Sequence, residues 1–347
     1  MQVGAPREVP AYSRAVPVAE LAALVRDLAV VRPGPGLLQV AVRGLVMLGL
    51  AVVVASGAVV RDPWVFGGGL VVLAFWVASA MILTHDAIHR TLTGIRWLDD
   101  GLPPLLSWPI FWPHLTYGRL HLLHHKWNGT DIRDPERIEP LPHERASAGM
   151  LKRWRMKHRL WIRVFLEGGV GLIVEMARHG YKLRDEDPRM RGALVRDLVG
   201  IVITQGLLYG GAWWLGEHVL GGRGGEMALA WGITWLVLER VVGAIMQFRG
   251  QIEHDGLWGA GPTFFDTQWA GCRNVATHPL LARYFNYLNY HSVHHAFAFV
   301  PWYALEEGHR RIAARLAEAG FQDVPEEGYV GAARVVTQIG LQEDRIA

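Results

Sequence analysis

Four long apolar segments dominate the pattern of hydrophobic and polar residues along the chain. They are Leu37–Val60, Val65–Thr84, Leu198–Gly216 and Met227–Phe248. Because about 20 apolar residues in a helix cross the hydrocarbon core of a bilayer, each segment approaches the length of a membrane span. Arg43 interrupts the first segment, and Glu239 and Arg240 interrupt the fourth. The pattern predicts a polytopic membrane protein.

Short polar connections join the four segments in pairs, and these connections indicate two helical hairpins. Arg61–Trp64 separates the first pair and Glu217–Glu226 the second, each with one basic residue. Basic residues are instead concentrated between residues 85 and 197. Since positive residues stay on the cytoplasmic side, both termini and this long middle segment are predicted to be cytoplasmic.

The expected fold is therefore an all-α membrane protein. Four transmembrane helices in two hairpins would carry a cytoplasmic helical domain that holds a metal site. We expect a cytoplasmic N-terminal segment over residues 1–36, a membrane-embedded domain over 37–310 and a cytoplasmic tail over 311–347. Residues 1–36 carry scattered charges and no short apolar core, so no cleavable signal peptide is expected in them.

Three stretches outside the spans also have interpretable patterns. Gly101–Pro113 is uncharged and too short to span, which is typical of a membrane-dipping hairpin or of a buried turn. Leu160–Ala177 follows the basic run Lys152–Arg159 and predicts either a helix in the membrane interface, attracted to anionic lipid, or a solvated amphipathic helix. Ala304–Ala319 predicts a surface helix.

Composition strengthens the membrane interpretation and limits the chemistry. The 347 residues are 51% hydrophobic and only 19% charged, with 15 Trp and a mean hydropathy of +0.15. Cys272 is the single cysteine, which excludes an intramolecular disulfide and an iron–sulfur cluster held by the chain's own thiolates. Electrons for any redox reaction are therefore expected to come from elsewhere.

Histidine clusters supply the candidate chemistry. The motif His-x-x-His-His occurs twice, at 121–125 and 291–295, although the chain has only 16 histidines. Two copies are not expected by chance at this composition. A third cluster, His85 and His89, directly follows the second apolar segment. Three clusters on one face of the membrane indicate a shared metal site.

The spacing within each cluster suits metal binding if the segments are helical. Residues i and i+4, and also i and i+3, lie on the same helical face, so the imidazoles within each cluster can converge. Neutral imidazole binds Fe, Cu, Zn and Ni, so ligand type does not choose the metal. The alternative is histidines on solvated helical faces, which is unfavourable near neutral pH because clustered imidazoles repel when charged.

The histidines outside these three clusters differ in their positions relative to the apolar segments. His254 comes six residues after the fourth apolar segment, and we interpret it as a further ligand, with a surface histidine as the alternative. The remaining ones are interpreted as structural or exposed, and they are His114, His143, His158, His179, His218, His278 and His309.

The order of these motifs resembles the membrane-bound fatty acid desaturase superfamily. The three boxes are His85-Asp-Ala-Ile-His89, His121-Leu-Leu-His-His125 and His291-Ser-Val-His-His295. Asp134-Pro135 after the second box is similar to that family's acidic Asp-Pro element, and Asn289-x-His291-x-x-His-His-x-Phe297 is similar to its third box. The resemblance covers roughly residues 40–310.

The chain departs from the family pattern at two places. Ala298 stands where a proline often follows the third box. Acyl-CoA desaturases place an asparagine one helical turn before the extra histidine, whereas this chain has Gly250 there, with Gln251 nearest. The water-mediated contact of that asparagine therefore cannot be carried over. The spacing of the first box is more similar to that of acyl-lipid desaturases and carotenoid ketolases.

The resemblance implies a non-haem di-iron centre that uses O2 to remove hydrogen from an unactivated carbon. The implied ligands are nine imidazoles: His85, His89, His121, His124, His125, His254, His291, His294 and His295. Because metal-bound imidazoles usually donate their second N–H to an acceptor, neighbouring polar residues are candidates for orienting them. These candidates are Asp86, Asp134, Glu253 and Asn289. Glu239 and Arg240 are either functional residues at membrane depth or interfacial ones.

The leading functional hypothesis is an O2-dependent membrane oxidase that desaturates a fatty acyl chain. Hydroxylation or ketolation of an acyl, carotenoid or other lipid substrate is the alternative, because the same histidine pattern serves all of these reactions. Expected partners are a ferredoxin-like electron donor with its reductase, a lipid or acyl substrate with or without an acyl carrier, and membrane lipids, but no nucleic acid. A metal transporter would place its ligands within the spans, and a zinc hydrolase would need fewer histidines.

Overall fold

A computed structural model of the chain describes residues 8–322 and 325–343. The first seven residues of the predicted N-terminal segment lie outside the described residues, as do residues 323–324 and 344–347 of the predicted tail. The described part is predominantly helical. Its only paired strands are β1 (Val275–Ala276) and β2 (Glu326–Glu327), which run parallel. The expectation of an all-α fold is confirmed at this level.

The α-helices of the described residues are numbered in chain order. They are α1 (Tyr12–Ala15), α2 (Val18–Val25), α3 (Pro33–Val60), α4 (Pro63–Ile88), α5 (Arg96–Ser107), α6 (His114–Trp127), α7 (Pro142–Ala146), α8 (Met150–Lys157), α9 (Arg159–Ile162), α10 (Gly168–Leu183), α11 (Met190–Trp214), α12 (Gly224–His254), α13 (Phe264–Ala270), α14 (Pro279–Tyr284), α15 (His291–Ala296), α16 (Leu305–Glu318) and α17 (Gly328–Glu343). Shorter 3₁₀ turns cover Arg26–Ala29, Trp108–Ile110 and Trp302–Ala304, and π-helical turns cover Arg163–Glu167 and Leu215–Val219.

Four helices are long and apolar enough to cross a membrane: α3, α4, α11 with its π-helical extension, and α12. They contain the four apolar segments. Large side chains on these helices remain outside any packed core, since Leu45, Leu48 and Leu207 are 70%, 64% and 71% exposed. Exposed leucines in such number on a helix are unfavourable in water and suit a helix that faces lipid tails.

The chain divides into two compact units. The span unit comprises residues 32–120 and 167–246, and the site unit comprises residues 1–31, 121–166 and 247–347. Helices α2, α15 and α16 form much of the packed interior of the site unit, where Leu21, Val293, Ile312 and Leu316 are completely buried. In the span unit, Leu70, Ala74 and Ala78 of α4 lie in one core cluster with Val54 and Leu238.

The turn between α3 and α4 follows from local sequence. Arg61 adopts a left-handed conformation that ends α3, with φ of 60°. The Asp62 carboxylate then accepts hydrogen bonds from the backbone N–H groups of Trp64 and Val65, while Pro63 occupies the first turn of α4. An acceptor before the helix and a proline at its first position are strong start signals, so the hairpin is specified locally.

The segment predicted as one helix over Leu160–Ala177 forms three pieces instead: α9, the π-helical turn Arg163–Glu167, and α10. Gly168 lies at the junction with φ of +53°. In the span unit the Arg240 guanidinium donates to the Glu167 carbonyl at 2.9 Å, and the Glu239 carboxylate accepts from the Val170 N–H at 2.5 Å. Glu239 and Arg240 thus fix the start of α10, which no local periodicity could have predicted.

Contact between α10 and α12 depends on glycine. A Cβ atom at Gly243 would lie 1.8 Å from the Gly169 backbone nitrogen. Gly243→Ala is expected to push the two backbones apart and to lower the free energy of unfolding by about 1–3 kcal/mol, the usual effect of overpacking. Thermal unfolding in detergent measures this loss.

Gly250→Ala is the matched control on the same helix, since a Cβ there meets no atom of the described residues within 4 Å. It should be neutral or slightly stabilising because alanine favours helix. Equal melting temperatures for the two variants would contradict the close α10–α12 approach.

Asp197 of α11 anchors the start of α6. Its carboxylate accepts from the backbone N–H groups of Leu115 at 3.1 Å and Thr116 at 2.7 Å, and from Trp108 Nε1–H at 3.0 Å. A carboxylate at a helix N-terminus satisfies N–H groups that lack partners within the helix. One buried aspartate on a candidate span therefore sets where α6 begins.

Candidate metal centre

Helix α6 brings the histidines of the second box together. His121 and His125 lie one turn apart, and their Nε2 atoms are 3.1 Å from each other. His121, His124 and His125 are all buried. The predicted convergence of this box therefore occurs, with at least two imidazole nitrogens facing a common point.

Carboxylates lie behind two of these imidazoles. The His124 Nδ1–H donates to both oxygens of Asp134, at 2.9 and 3.0 Å, and the His121 Nδ1–H donates to Glu136 Oε1 at 2.9 Å. A carboxylate can only accept, so the hydrogen resides on Nδ1 and the Nε2 lone pair is directed toward the other histidines. Asp134 was predicted from the sequence, whereas Glu136 was not assigned a role.

The histidines and carboxylates of this box shift each other's pKa values. Burial alone would lower the pKa of His124, but the negative charges of Asp134 and Glu136 outweigh it and raise the pKa to about 9. Burial would raise the pKa of Glu136, yet the nearby His124 and His121 lower it to about 2. Glu136 is therefore ionised at neutral pH. Such a site favours cations, either a proton on His124 Nε2 or a metal ion that would replace it, because it holds fixed negative charge away from water.

The third box lies on α15, and all three of its histidines are buried. The His295 Nδ1–H donates to Gln268 Oε1 at 2.9 Å. The Gln268 amide is oriented in turn by donating to the Asn128 carbonyl at 3.3 Å. His295 Nε2 is buried and has no hydrogen-bond partner among the described residues. A buried imidazole nitrogen that receives no hydrogen bond, on a ring oriented through its other nitrogen, suits a metal ligand.

His254, the last residue of α12, lies between the two boxes. Its Nε2 atom is 3.3 Å from His124 Nε2 and 3.0 Å from His291 Nε2. Its Nδ1–H donates to the Gly271 carbonyl at 3.2 Å. This is the arrangement expected for a ligand, with one nitrogen held by an acceptor and the other aimed at the neighbouring imidazoles. Burial also lowers the pKa of His291 and of His295 well below the usual value, which keeps both imidazoles neutral.

Two groups of donor atoms within the site unit are close enough to share an ion. One ligand atom from each of His254, Cys272, His291 and His295 lies within 4.8 Å of the others, and a second group consists of His125, His294 and His295. Several neutral nitrogen donors brought this close fit iron or another transition metal. The residues therefore fit the predicted cofactor in donor chemistry.

Cys272 was not predicted at the site. Its Sγ atom is 3.9 Å from His254 Nδ1, the nitrogen that also faces the Gly271 carbonyl. Burial raises the pKa of this thiol well above its ordinary value, so it is neutral. The neutral thiol therefore packs beside the His254 imidazole, and its sulfur is one of the donor atoms close enough to share an ion.

His85 and His89 belong to the span unit. His85 lies in the last turn of α4 and His89 follows the helix directly, and their ring centroids are 5.2 Å apart. The His85 Nδ1–H approaches Asp86 Oδ1 at 3.3 Å. The first box is thus assembled at the end of a candidate span, as its i, i+4 spacing predicts.

The remaining predicted orienting residues have different surroundings. Glu253 forms an ion pair with Arg249 at 2.5 Å, and its other oxygen is 3.7 Å from His291 Nε2. The Asn289 side-chain amide donates to the Val275 carbonyl at 3.0 Å. Asn289 therefore acts on the third box through the backbone that precedes it, by tying it to β1.

Other histidines have structural roles. Burial lowers the pKa of His114 to about 4, so this side chain is neutral. His309 is buried and stacks on Trp269, with ring centroids 5.8 Å apart. His278 caps α14 by accepting from the Leu280 N–H.

Comparison with known proteins supplies independent information. The sequence model of one family, described as "Fatty acid desaturase", matches residues 62–325. This range includes all three histidine boxes and His254. No curated protein matches the chain.

Proposed function

Because the chain belongs to the fatty acid desaturase family, and is thus an oxidoreductase that acts on lipid or acyl substrates, we propose that it is an O2-dependent di-iron membrane enzyme that introduces a double bond into a fatty acyl chain. We further propose that the nine histidines of the three boxes and His254 are the iron ligands. Both termini and the metal site are proposed to face the cytoplasm.

One observation carries this proposal. His121, His124, His254 and His295 each direct Nδ1–H at an oxygen acceptor, namely Glu136, Asp134, the Gly271 carbonyl and Gln268. This leaves the Nε2 lone pairs of four imidazoles, drawn from three separate chain segments, for metal binding. Hydrogen bonds that fix the tautomer in this way are characteristic of metal-ligating histidines. A solvated histidine cluster would not need four such acceptors.

When bound, a pair of irons would supply O2 activation and hydrogen removal at an unactivated carbon. The protein's own contribution is to keep the imidazoles oriented and shielded from water. Balance requires that the acyl chain lose two hydrogen atoms while O2 is reduced to two waters with two further electrons and two protons. Since Cys272 is the only cysteine of this sequence, the chain cannot hold an iron–sulfur cluster on its own thiolates, and we propose an external donor of the ferredoxin type for those electrons.

Hydroxylation or ketolation of a lipid remains the second candidate, because the same donor set serves these reactions. The positions of the proposed metal ligands in the chain argue against metal transport. The second and third boxes lie on α6 and α15, which are not among the four helices apolar enough to span a membrane. A transporter would place its ligands within its spans.

Lipid analysis tests the proposal. The protein is expressed with a compatible ferredoxin and reductase, and cellular lipids are profiled by mass spectrometry. Loss of two hydrogen atoms from an acyl chain supports desaturation, whereas gain of one oxygen atom supports hydroxylation instead. The matched negative control is His295→Ala, which removes a proposed ligand. An unchanged product from His295→Ala would contradict the assigned site.

A further inference from the structure

Helix α8 combines cations and exposed apolar side chains in one short segment of the site unit. Met150, Leu151 and Trp154 are 88%, 71% and 48% exposed. Lys152, Arg153 and Arg155 are exposed beside them, and Lys157 is half-buried. The stretch from Met150 to Leu166 contains six lysines and arginines and no acidic residue. Such a surface is unfavourable in free contact with water and needs a partner.

The apolar residues lie on one face of α8. At about 100° per residue, Met150, Trp154 and Leu151 fall within an arc of about 100°. Lys157 lies about 20° before that arc and Arg155 about 40° beyond it. Cations on both edges of an apolar stripe allow the long side chains to reach phosphate groups while the stripe enters a less polar layer.

The orientation of this face is fixed by the rest of the site unit. A Cβ atom at Gly340 of α17 would lie 2.4 Å from the Lys157 carbonyl oxygen, so the two backbones are in close contact. Trp161 Nε1–H donates to Thr337 Oγ1 at 3.1 Å. Arg159 pairs with the buried carboxylate of Asp255 at 2.6 Å. The exposed face of α8 is therefore presented by a packed scaffold.

The apolar surface continues beyond α8. Phe165 and Leu166 are 69% and 67% exposed, and the Phe165 ring stacks on Trp161 with centroids 5.8 Å apart. Large amphipathic rings such as that of tryptophan are enriched at the boundary between water and lipid. The same segment thus offers apolar contact along its length and positive charge at its start.

We propose that the exposed face of α8 is a binding surface for anionic lipid headgroups. Met150, Leu151 and Trp154 enter the boundary of the acyl layer, and the two cations at the edges of this stripe, Arg155 and Lys157, bind headgroup phosphates. An acidic protein would match the cations equally well, and protein interfaces also accept tryptophan and methionine. Lysine, however, is depleted in such interfaces, and Lys157 lies at the edge of this stripe. The lipid surface satisfies both features at once. This inference is independent of the metal centre.

Spin labelling tests the depth of α8. Leu151→Cys is labelled with a nitroxide, and the protein is reconstituted in bilayers of phosphatidylcholine with and without phosphatidylglycerol. The native Cys272 is buried, and wild-type protein carried through the same labelling reaction checks that it does not react. Collisions with O2, which concentrates in lipid, are compared with collisions with a water-soluble nickel chelate. The control label is at Ala314, which is exposed on α16.

The label at 151 is expected to favour O2 over the nickel chelate, more so with phosphatidylglycerol, while the label at 314 favours the chelate. Combined replacement of Arg155 and Lys157 by glutamine should remove the dependence on phosphatidylglycerol. Equal chelate collisions at 151 and 314, or a depth that does not respond to anionic lipid, would overturn the proposal. If the label at 151 becomes immobile only when an acidic ferredoxin is added, the face binds a protein partner. That result would also overturn the proposal.

Discussion

His254→Ala is expected to release metal from the protein and to abolish substrate oxidation. His254 Nε2 lies 3.3 Å from His124 Nε2 and 3.0 Å from His291 Nε2, so it is shared between the two boxes. Alanine has no ligand atom, so the substitution removes one nitrogen donor from between the two boxes. Activity should fall by more than about 100-fold, since even residues behind metal ligands contribute about 10–100-fold.

Iron content per chain and product yield measure this loss together. The matched control is His218→Ala, because His218 is exposed and packs only near Trp213 and Trp214 among its ring contacts in the described residues. His218→Ala should keep full iron content. Retention of iron and of activity by His254→Ala would show that His254 is not a ligand.

Asp134→Asn is expected to weaken metal binding by about 10–100-fold without unfolding the protein. Both Asp134 oxygens accept from His124 Nδ1–H, at 2.9 and 3.0 Å, in a buried setting. Asparagine keeps one acceptor but loses the charge that makes the imidazole a stronger donor to the metal. It also places an N–H group where a second acceptor stood.

Competition with a zinc chelator measures the affinity and does not require turnover. Asp131→Asn is the matched control in the same loop, because Asp131 pairs with Arg133 at 2.7 Å. That variant should bind zinc as tightly as the wild type. If the two variants bind zinc equally well, Asp134 has no influence on the metal.

The sequence predicted the parts of the site that depend on local spacing. The i, i+4 pairs His85–His89 and His121–His125 needed only helical periodicity, and the helix α4 before the first pair needed only its apolar segment and its cap. Asp134 was predictable because Asp134-Pro135 after the second box resembles the acidic Asp-Pro element of the family. These features are encoded close in sequence to the residues concerned.

Other parts of the site depend on contacts across long chain separations. Gln268 lies 27 residues before His295, and a lone glutamine has no spacing that would mark it as an imidazole partner. The Gly271 carbonyl that orients His254 is a backbone group and has no sequence signature. The break before α10 depends on Glu239 and Arg240. These residues lie on α12, about 70 positions from the break, so no local pattern connects them with it. Only the folded chain brings these groups together.

The carboxylate of Asp197 links a candidate membrane span to the start of the helix that carries the second box. Asp197 is on α11, a candidate span, and it holds the first N–H groups of α6, the helix that ends in the second box. Spans tilt to match the thickness of the hydrocarbon layer. A change in the tilt of α11 would therefore be transmitted to α6 through this carboxylate. The position of the first turn of α6 thereby depends on the orientation of α11.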